Sequence, residues 1–547
     1  MNDREISHTT QTEALNHSSE FRRRLLNSLD DARAACFTGD IERDGRPIDL
    51  LVVEDDGGLS RDRETLGGRE LLRTRVSAEL FEKDIENGFL GEYVASFLML
   101  PYSPLIGDGY LHHHETNLKE RVIREELENL HLGFPNLIVE LLIDPRFFFH
   151  ARMQRRMKIH PPSRRDYLDM VSRSGREQWH GFESAIERLH CRGLLEGNEL
   201  VTITEKMARE MPEDRSNPVV PFREVERTVR RLAAYGIAGN MLDGLTLDEA
   251  TQGLQKQVYE QLPDPKSYIF LRTEGGLVSI DDKRGIRELI AGKGSSTPES
   301  HSVKRIGGAL NFVYLVEVDA GDKKERMVAK TYQNWYGLKW IPVNIWTVGA
   351  QNFDVLGERR MANEYKMNRH FASSGFRVPK ILHVSVPRLT IVEEYIEGTP
   401  FSEIVRDYLS DGEESQARHI ESLGRQISRI HARGITLGDS KPDNMILDSQ
   451  EEIWFVDLEQ AAVKGSQTWD LAEFLYYSGH YTLRWRRVKP MAESFIRGYL
   501  ESGEVSVVRG ISAAKYKRVF GLLTPPHIIM GISKLCSDYP EVPSPSG

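Results

Sequence analysis

The chain has 547 residues, 39% hydrophobic and 28% charged, with a formal charge of −10 and a pI near 6.0. That length gives room for about three or four domains, and the acidic balance argues against a protein that binds nucleic acid over its whole surface, although one domain can still be basic. Three cysteines, Cys36, Cys191 and Cys536, odd in number and far apart, argue against a disulfide framework or a zinc site and fit a reducing compartment. The polar start MNDREISHTTQTEALNH lacks the apolar core of a signal peptide. The most apolar stretch, 89–106, is broken by Glu92, Pro101 and Pro104 and falls short of the roughly 18 uninterrupted apolar residues of a membrane span. A cytoplasmic protein with no membrane partner is expected.

In chain order, Phe21, Leu25, Leu26 and Leu29 predict a helix over 19–35. Residues 48–56, IDLLVVEDD, read as a buried strand ending in acids. Thr38-Gly39 ahead of Asp49 faintly resembles the nucleotidyltransferase pattern, but the usual Gly-Ser and second aligned carboxylate are not evident, and an acidic strand end is the preferred reading. Residues 70–150 read as mainly helical, with Val122, Ile123, Leu127 and Leu130 as an apolar face. His112, His113 and His114 are consecutive, so they cannot all face one metal from a regular element; an exposed turn is expected.

Phe182, Ala185, Ile186 and Leu189 share a helical face, a glycine turn follows at Gly193, then a strand over 200–203 and a second helix over TEKMARE. This order resembles a winged helix spanning 150–210, a module that takes protein or nucleic-acid partners. Arg152, Arg155, Arg156, Lys158, Arg164 and Arg165 lead into it, either as a phosphate-backbone contact or as a solvated helix face. A connector over 211–291 contains a charged helix, 223–235, and ends in a hairpin turned at Gly275-Gly276. Residues 292–302, GKGSSTPESHS, read as a linker.

The remaining chain holds the chemistry. Gly307-Gly308 opens a turn before Asn311 and a strand, and backbone amides in such a turn can cradle phosphates. Lys330 ends the apolar run Met327-Val328-Ala329, where a purely structural lysine would be unusual. Between 431 and 460, Met445–Leu447 and Ile453–Val456 form a hairpin around a polar turn. That hairpin brings Asn444 and Asp457 to one end, an amide oxygen and a carboxylate suited to Mg²⁺. Asp439 can orient a hydroxyl and Lys441 can neutralise a transferring phosphoryl group.

Asp439-x-Lys441-Pro442-x-Asn444 resembles the catalytic loop of protein kinases, with Asp457-Leu458-Glu459 where their magnesium-binding Asp-Phe-Gly lies. Gly438 in place of the usual Arg, with His431 and Gly434 ahead of it, is similar to the RIO and Bud-type kinases and to the aminoglycoside/choline kinase group. The Gly-Gly-x-x-Asn turn and Trp469-Asp470-Leu471-Ala472 resemble that second group, whose Asp supports the catalytic loop. The resemblance implies that Lys330 holds the ATP phosphates and pairs with a helix glutamate, Glu364 rather than Glu358. It implies a hinge over 390–398 with adenine at the backbone of Glu394 and Ile396, and a RIO-like insertion carrying Trp335, Trp340 and Trp346. No long activation segment fits between Leu458 and Thr468.

An α+β protein is therefore expected. It comprises a mixed α/β N-terminal region (20–149), the winged helix (150–210), the connector (211–291), a two-lobed protein-kinase-like domain (302–505) and a C-terminal tail (506–547). Its cofactors are ATP and Mg²⁺. The expected function is an atypical serine/threonine protein kinase, with a small-molecule kinase or an ATP-binding switch or interaction protein as the alternatives.

Overall fold

The structure is a computed structural model describing residues 25–26, 28–29, 31–38, 48–66, 69–159, 167–168, 171, 181–211, 262–286, 288–289, 301–307, 311–320, 323–333 and 356–540. The chain divides into two compact units, Met1–Ile269 and Phe270–Gly547. Among the described residues no helix is long and apolar enough to cross a membrane.

The N-terminal unit carries a five-stranded sheet made of β1 (Ala32–Thr38), β2 (Ile48–Glu54), β3 (Ser60–Leu66), β4 (Arg69–Ser77) and β5 (Tyr102–Ile106), in the order β3-β4-β2-β1-β5. β2 and β4 run parallel, and the other pairs are antiparallel. Ile48, Leu50, Leu51, Val52 and Val53 are buried on both faces of β2, which is why that run is continuously apolar. The helix expected to reach residue 35 stops short of β1, because Ala35 and Phe37 enter the sheet core with Leu25 and Leu29. Residues 70–150 likewise hold β4 and β5 besides helices α1 (Ala78–Asn87) and α2 (Asp108–Gly133). The three histidines expected in a turn lie on α2. Asp49 pairs with Arg61 at 2.9 Å, and no metal-type acidic or histidine cluster occurs among the described residues.

A two-residue strand β6 (Leu142–Ile143) precedes α3 (Arg146–Ile159). Helix α4 (Phe182–Cys191) follows, then the short pair β7 (Leu195–Glu196) and β8 (Thr202–Ile203), and α5 (Glu205–Glu210) capped by Thr204. Phe182, Ala185, Ile186 and Leu189 are all buried. The arginines ahead of this module face inward. Arg152 is buried against Glu92, Glu125 and Glu126, Arg155 pairs with Glu126 at 2.9 Å, and Arg156 donates to the Glu92 carbonyl at 2.7 Å. These three do not form the solvent-facing phosphate contact that their clustering allowed. A buried guanidinium needs carboxylate partners, and α1–α2 supply them. Arg164 and Arg165 lie outside the described residues, as does the helix expected over 223–235.

In the C-terminal unit, β9 (Ile269–Thr273) and β10 (Gly276–Ser279) form a hairpin turned at Glu274-Gly275, one residue before the expected turn. Arg272 of β9 exchanges backbone hydrogen bonds with the Tyr365 hydroxyl, so the hairpin packs with the kinase-like segment rather than ending a separate connector. Strands β11 (His301–Gly307), β12 (Phe312–Ala320), β13 (Lys323–Thr331), β14 (Ile381–Ser385) and β15 (Thr390–Glu394) make an antiparallel sheet in the order β11-β12-β13-β15-β14. Helix α6 (Gly357–Ser373) lies between β13 and β14 in sequence. The tryptophan-bearing insertion falls outside the described residues.

After β15 the chain becomes mainly helical. It passes through β16 (Thr399–Pro400), α7 (Phe401–Asp411), α8 (Glu414–Ala432), β17 (Ile435–Thr436), the hairpin β18 (Met445–Leu447) and β19 (Ile453–Phe455), and β20 (Ala462–Val463). Helices α9 (Gln467–Gly479), α10 (Trp485–Tyr499), α11 (Val505–Gly510), α12 (Ala514–Phe520) and α13 (Pro526–Ser537) follow. Val508, Ile511, Phe520, Ile528 and Ile532 enter the same apolar core as Leu423, Phe474 and Phe495. The segment expected as a tail from 506 is thus part of this body, because α13 covers α9 and α10.

The core depends on how closely α8 and α10 cross. A Cβ on Gly424 would stand 2.2 Å from the Phe495 carbonyl, and one on Gly498 would stand 1.9 Å from that of Glu421. Glycine is required because backbone meets backbone there. Gly498→Ala is expected to destabilise the chain by about 1–3 kcal/mol through overpacking. Gly109→Ala on α2, with nothing within 4 Å of a Cβ, should be neutral or stabilising by about 0.5–1 kcal/mol. Thermal melting of both variants checks this; a Gly498→Ala protein as stable as wild type would mean that the crossing is not tight.

Candidate active site

Lys330 sits on β13 between Val313 of β12 and Ile391 of β15, in the interior of the sheet. Its side chain is buried, with Nζ 3.1 Å from Glu364 Oε1, 3.4 Å from Glu393 Oε2 and 3.7 Å from Asp457 Oδ1. Burial alone would lower its pKa, but Glu364, then Glu393 and Asp457, hold it well above the ordinary lysine value. Burial in turn pushes the Glu364 carboxyl well above the usual range, with Lys330 pulling against it. With three acids around one ammonium, Lys330 stays charged. Of the two candidate partners it is Glu364, on α6, that reaches Lys330.

The catalytic-type loop is held from beneath by α9. Asp470 is buried and accepts from Leu437 N at 2.7 Å and Gly438 N at 2.9 Å, with His431 Nε2 at 2.9 Å. His431 is itself fixed on α8 through Nδ1, 3.0 Å from the Tyr499 hydroxyl. Trp469 Nε1 donates to Gly438 O at 2.9 Å. One turn along α9, Glu473 accepts from Ser440 N at 2.7 Å. Gly438 has φ +72°, and a Cβ there would lie 2.1 Å from the Gln460 carbonyl. This contact explains why a glycine stands where an arginine is usual.

The loop presents Asp439 and Lys441 as an ion pair, Oδ1 to Nζ 2.8 Å, with Glu473 4.0 Å behind the ammonium. Burial would lower the Lys441 pKa, but Asp439 first and then Glu473 raise it well above the usual value, so it stays charged. Glu473, fully buried, is itself pushed well above the carboxylate range by burial and by Asp439. Asn444 donates its side-chain amide to Asp439 O at 2.9 Å, and its backbone carbonyl accepts from Val456 N at 3.0 Å. The β18–β19 register, Met445 opposite Phe455, sets Asn444 beside Asp457 as expected. Leu437, Asp439, Ser440, Asn444 and Asp457 line one pocket.

These residues fit a hard cation. Asn444 has spent its amide nitrogen, which leaves its oxygen for a metal. Asp457 has a buried Oδ1 that makes no hydrogen bond, and its backbone takes φ +62°, a left-handed conformation that Asp tolerates better than most residues. Two oxygen donors of this kind suit Mg²⁺, which keeps several waters and shares phosphate oxygens.

A second buried cluster was not legible in the sequence. Asn311 donates to Glu459 Oε2 at 2.7 Å and accepts from Arg360 Nη1 at 2.7 Å, while Arg360 Nη1 lies 3.0 Å from Glu459 Oε2. Asn363 donates to the carbonyls of Glu459 and Ala461. Burial and the neighbouring Asp457 push Glu459 up to about 7, against the pull of Arg360 and Asn311. Asn311, expected on a phosphate, therefore has both ends of its carboxamide engaged, and ties the turn before β12 to the residues after Asp457. Gly307 is exposed at the end of β11; Gly308 lies outside the described residues. Glu394 ends β15 with its N–H bonded to Lys380 O at 2.9 Å, and Ile396 is buried just before β16, which pairs with β18. The chain thus passes straight from the Lys330 sheet to the Asn444 hairpin.

Comparison with known proteins agrees with this geometry. Residues 320–492 match the Lipopolysaccharide kinase (Kdo/WaaP) family. The KEOPS complex subunit Bud32 of Pyrococcus abyssi is 31% identical over 102 residues, which cover 19% of this chain and 44% of that protein. A 3-deoxy-D-manno-octulosonic acid kinase of Xylella fastidiosa is 30% identical over 112 residues, 19% of this chain and 43% of that one. The chain thus spans less than half the length of these relatives. A solved complex of Rv3197 with erythromycin from Mycobacterium tuberculosis covers 30% of this chain and 48% of that one at 22% identity; its TM-score of 0.22 is too low to carry an argument. The loop residues and these matches together make a segment of the C-terminal unit similar to atypical protein-kinase-like phosphotransferases.

Proposed function

We propose that this chain is an ATP-dependent phosphotransferase that moves the γ-phosphoryl group to a hydroxyl, with the C-terminal unit acting as a two-lobed kinase-like domain. The observation that carries this reading is the convergence of Lys330–Glu364 and Asp457 with the Asp439–Lys441 pair around one buried loop. In the proposed reaction Lys330 binds ATP phosphate oxygens and Glu364 fixes its ammonium. Gly307 and Gly308 contribute backbone amides to the phosphates, and adenine rests on the backbone near Glu394 and Ile396. Because the Glu394 N–H is already bonded, Ile396 supplies the donor there. Asp439 takes the proton of the acceptor hydroxyl as its oxygen bonds to the γ-phosphorus. The bond to the β-bridging oxygen breaks, ADP leaves, and Lys441 offsets charge on the phosphoryl group in passage. Mg²⁺, when held by Asn444 and Asp457, supplies positive charge to the phosphate oxygens.

A small hydroxyl compound is the acceptor class favoured here. Leu458 to Ser466 lead directly into α9, which packs on the catalytic loop, leaving little platform for a peptide. The sugar-acid kinases among the relatives support the same class. The second reading, a serine or threonine of a protein, is favoured by Lys441-Pro442 in the loop and by the similarity to Bud32. Use of ATP fits a cytoplasmic site. For the helix–hairpin–helix segment ending at 210 we propose a winged-helix role toward a protein partner, since Arg152, Arg155 and Arg156 are spent on internal acids.

Two outcomes are expected. Asp457→Asn should lose Mg²⁺-dependent ATP turnover while its thermal melting stays at the wild-type value; undiminished turnover in the folded variant removes Asp457 from the site. With γ-labelled ATP and a fractionated extract, label should enter the small-molecule fraction. Asp439→Asn and Lys441→Ala should each lower that rate about 10²–10³-fold, with much smaller change in ATP affinity. Label on protein serine or threonine, lost in both variants, establishes the second reading instead; no transferred label overturns the enzymatic proposal.

A further inference from the structure

The C-terminal helices carry a surface that the proposed chemistry does not use. Leu483 is 72% exposed, Leu522 69%, Leu523 61% and Met530 62%. Leu522 and Leu523 lead into the first turn of α13, where the ring of His527 lies 2.9 Å from the Leu483 carbonyl. Met530 is one turn further on, and a Cβ on the adjacent Gly531 would touch the Trp485 ring at 2.6 Å. The loop before α10 and the start of α13 therefore form one patch, and large apolar side chains gathered at such a surface mark an interaction site.

The two segments that carry the patch are basic in sequence. Residues 482–490, TLRWRRVKP, hold Arg484, Arg486, Arg487 and Lys489 and no acid, and 514–534 hold Lys515, Lys517, Arg518 and Lys534 and no acid, in a chain of net charge −10. Lys489 faces Glu493 of α10 at 3.6 Å, so the cations that matter most are Arg484, Arg486 and Lys534, all exposed.

We infer that this patch docks the protein on an anionic lipid bilayer as a peripheral contact: the leucines and Met530 enter the headgroup boundary and the surrounding cations meet lipid phosphates. Exposed apolar groups ringed by Lys and Arg are what an anionic membrane surface takes. A nucleic-acid backbone would use the cations but leave the leucines and methionine in water. A second copy of this chain would have to place one basic rim against another. The contact needs no spanning helix, and it is independent of the proposed reaction.

The test uses the full chain and sedimentation with phosphatidylcholine vesicles, with and without phosphatidylglycerol. Binding is expected to the anionic vesicles only, and to weaken as salt rises. Leu483→Asp with Met530→Asp, and separately Arg484→Glu with Arg486→Glu, should each lower partitioning at least about tenfold, since a juxtamembrane cation is worth roughly fivefold. All four positions are exposed, so melting should stay unchanged. Equal binding to both vesicle types, or equal binding by either variant, overturns the inference. So does an absence of vesicle binding, whether or not the protein retains single-stranded RNA or forms a dimer that Met530→Asp dissolves.

Discussion

A buried carboxylate, Asp470, sets the geometry on which the site depends. It accepts two consecutive loop amides and an imidazole, and an acceptor in that position has no water to replace a lost donor. The loop is therefore fixed to within the tolerance of three hydrogen bonds. The helices that bury Asp470 are in turn needed to make those bonds strong. His431 is held on α8 by Tyr499 from α10, and α8 and α10 approach closely enough to require glycine at both crossing points. Packing far from the pocket is thus transmitted to Asp439 through short, saturated contacts rather than through a flexible linker.

The second constraint is charge. Glu364, Glu393, Asp457, Asp439, Glu473 and Glu459 stand against Lys330, Lys441 and Arg360, two acids for each cation. Such a surplus in a buried place is relieved either by protonation or by added positive charge. Burial has already moved Glu364, Glu473 and Glu459 toward protonation. A triphosphate would deepen the surplus, so its binding is coupled to the arrival of compensating cations. The Asn444 and Asp457 oxygens are the donors best placed to receive one.

What could be read from the sequence follows from the range of the interactions. The β18–β19 hairpin is local. Its two short apolar runs and five-residue polar turn fix its register, and with it the meeting of Asn444 and Asp457. The Lys330–Glu364 pairing was legible through the resemblance to kinases, with the apolar face of α6, Met361, Tyr365 and Phe371, favouring Glu364 over Glu358. By contrast, Asn311, Arg360 and Glu459 come from three distant segments, and nothing in their own surroundings distinguishes them from surface residues. Arg152 is a similar case: a cluster of arginines on a helix reads as exposed until acids on α2 and in the turn after α1 are placed around it. The strand Ala32–Thr38 was hidden because ARAACFT is short, weakly periodic and becomes a strand only between β2 and β5.

Helix α9 brings these points together. Asp470 and Glu473 lie one turn apart on it and hold loop residues 437–438 and 440 in step, so the helix acts as a template for the loop. Its start directly follows the short run after Asp457, and the same run is pinned by Asn363 and Arg360 to α6, the helix whose Glu364 pairs with Lys330. A loop templated on one side and clamped on the other has little freedom left to serve as a switch. In the proposed reaction, selection of the acceptor would therefore work by what fits beside Asp439 and Lys441 as they stand, and not by rearranging them.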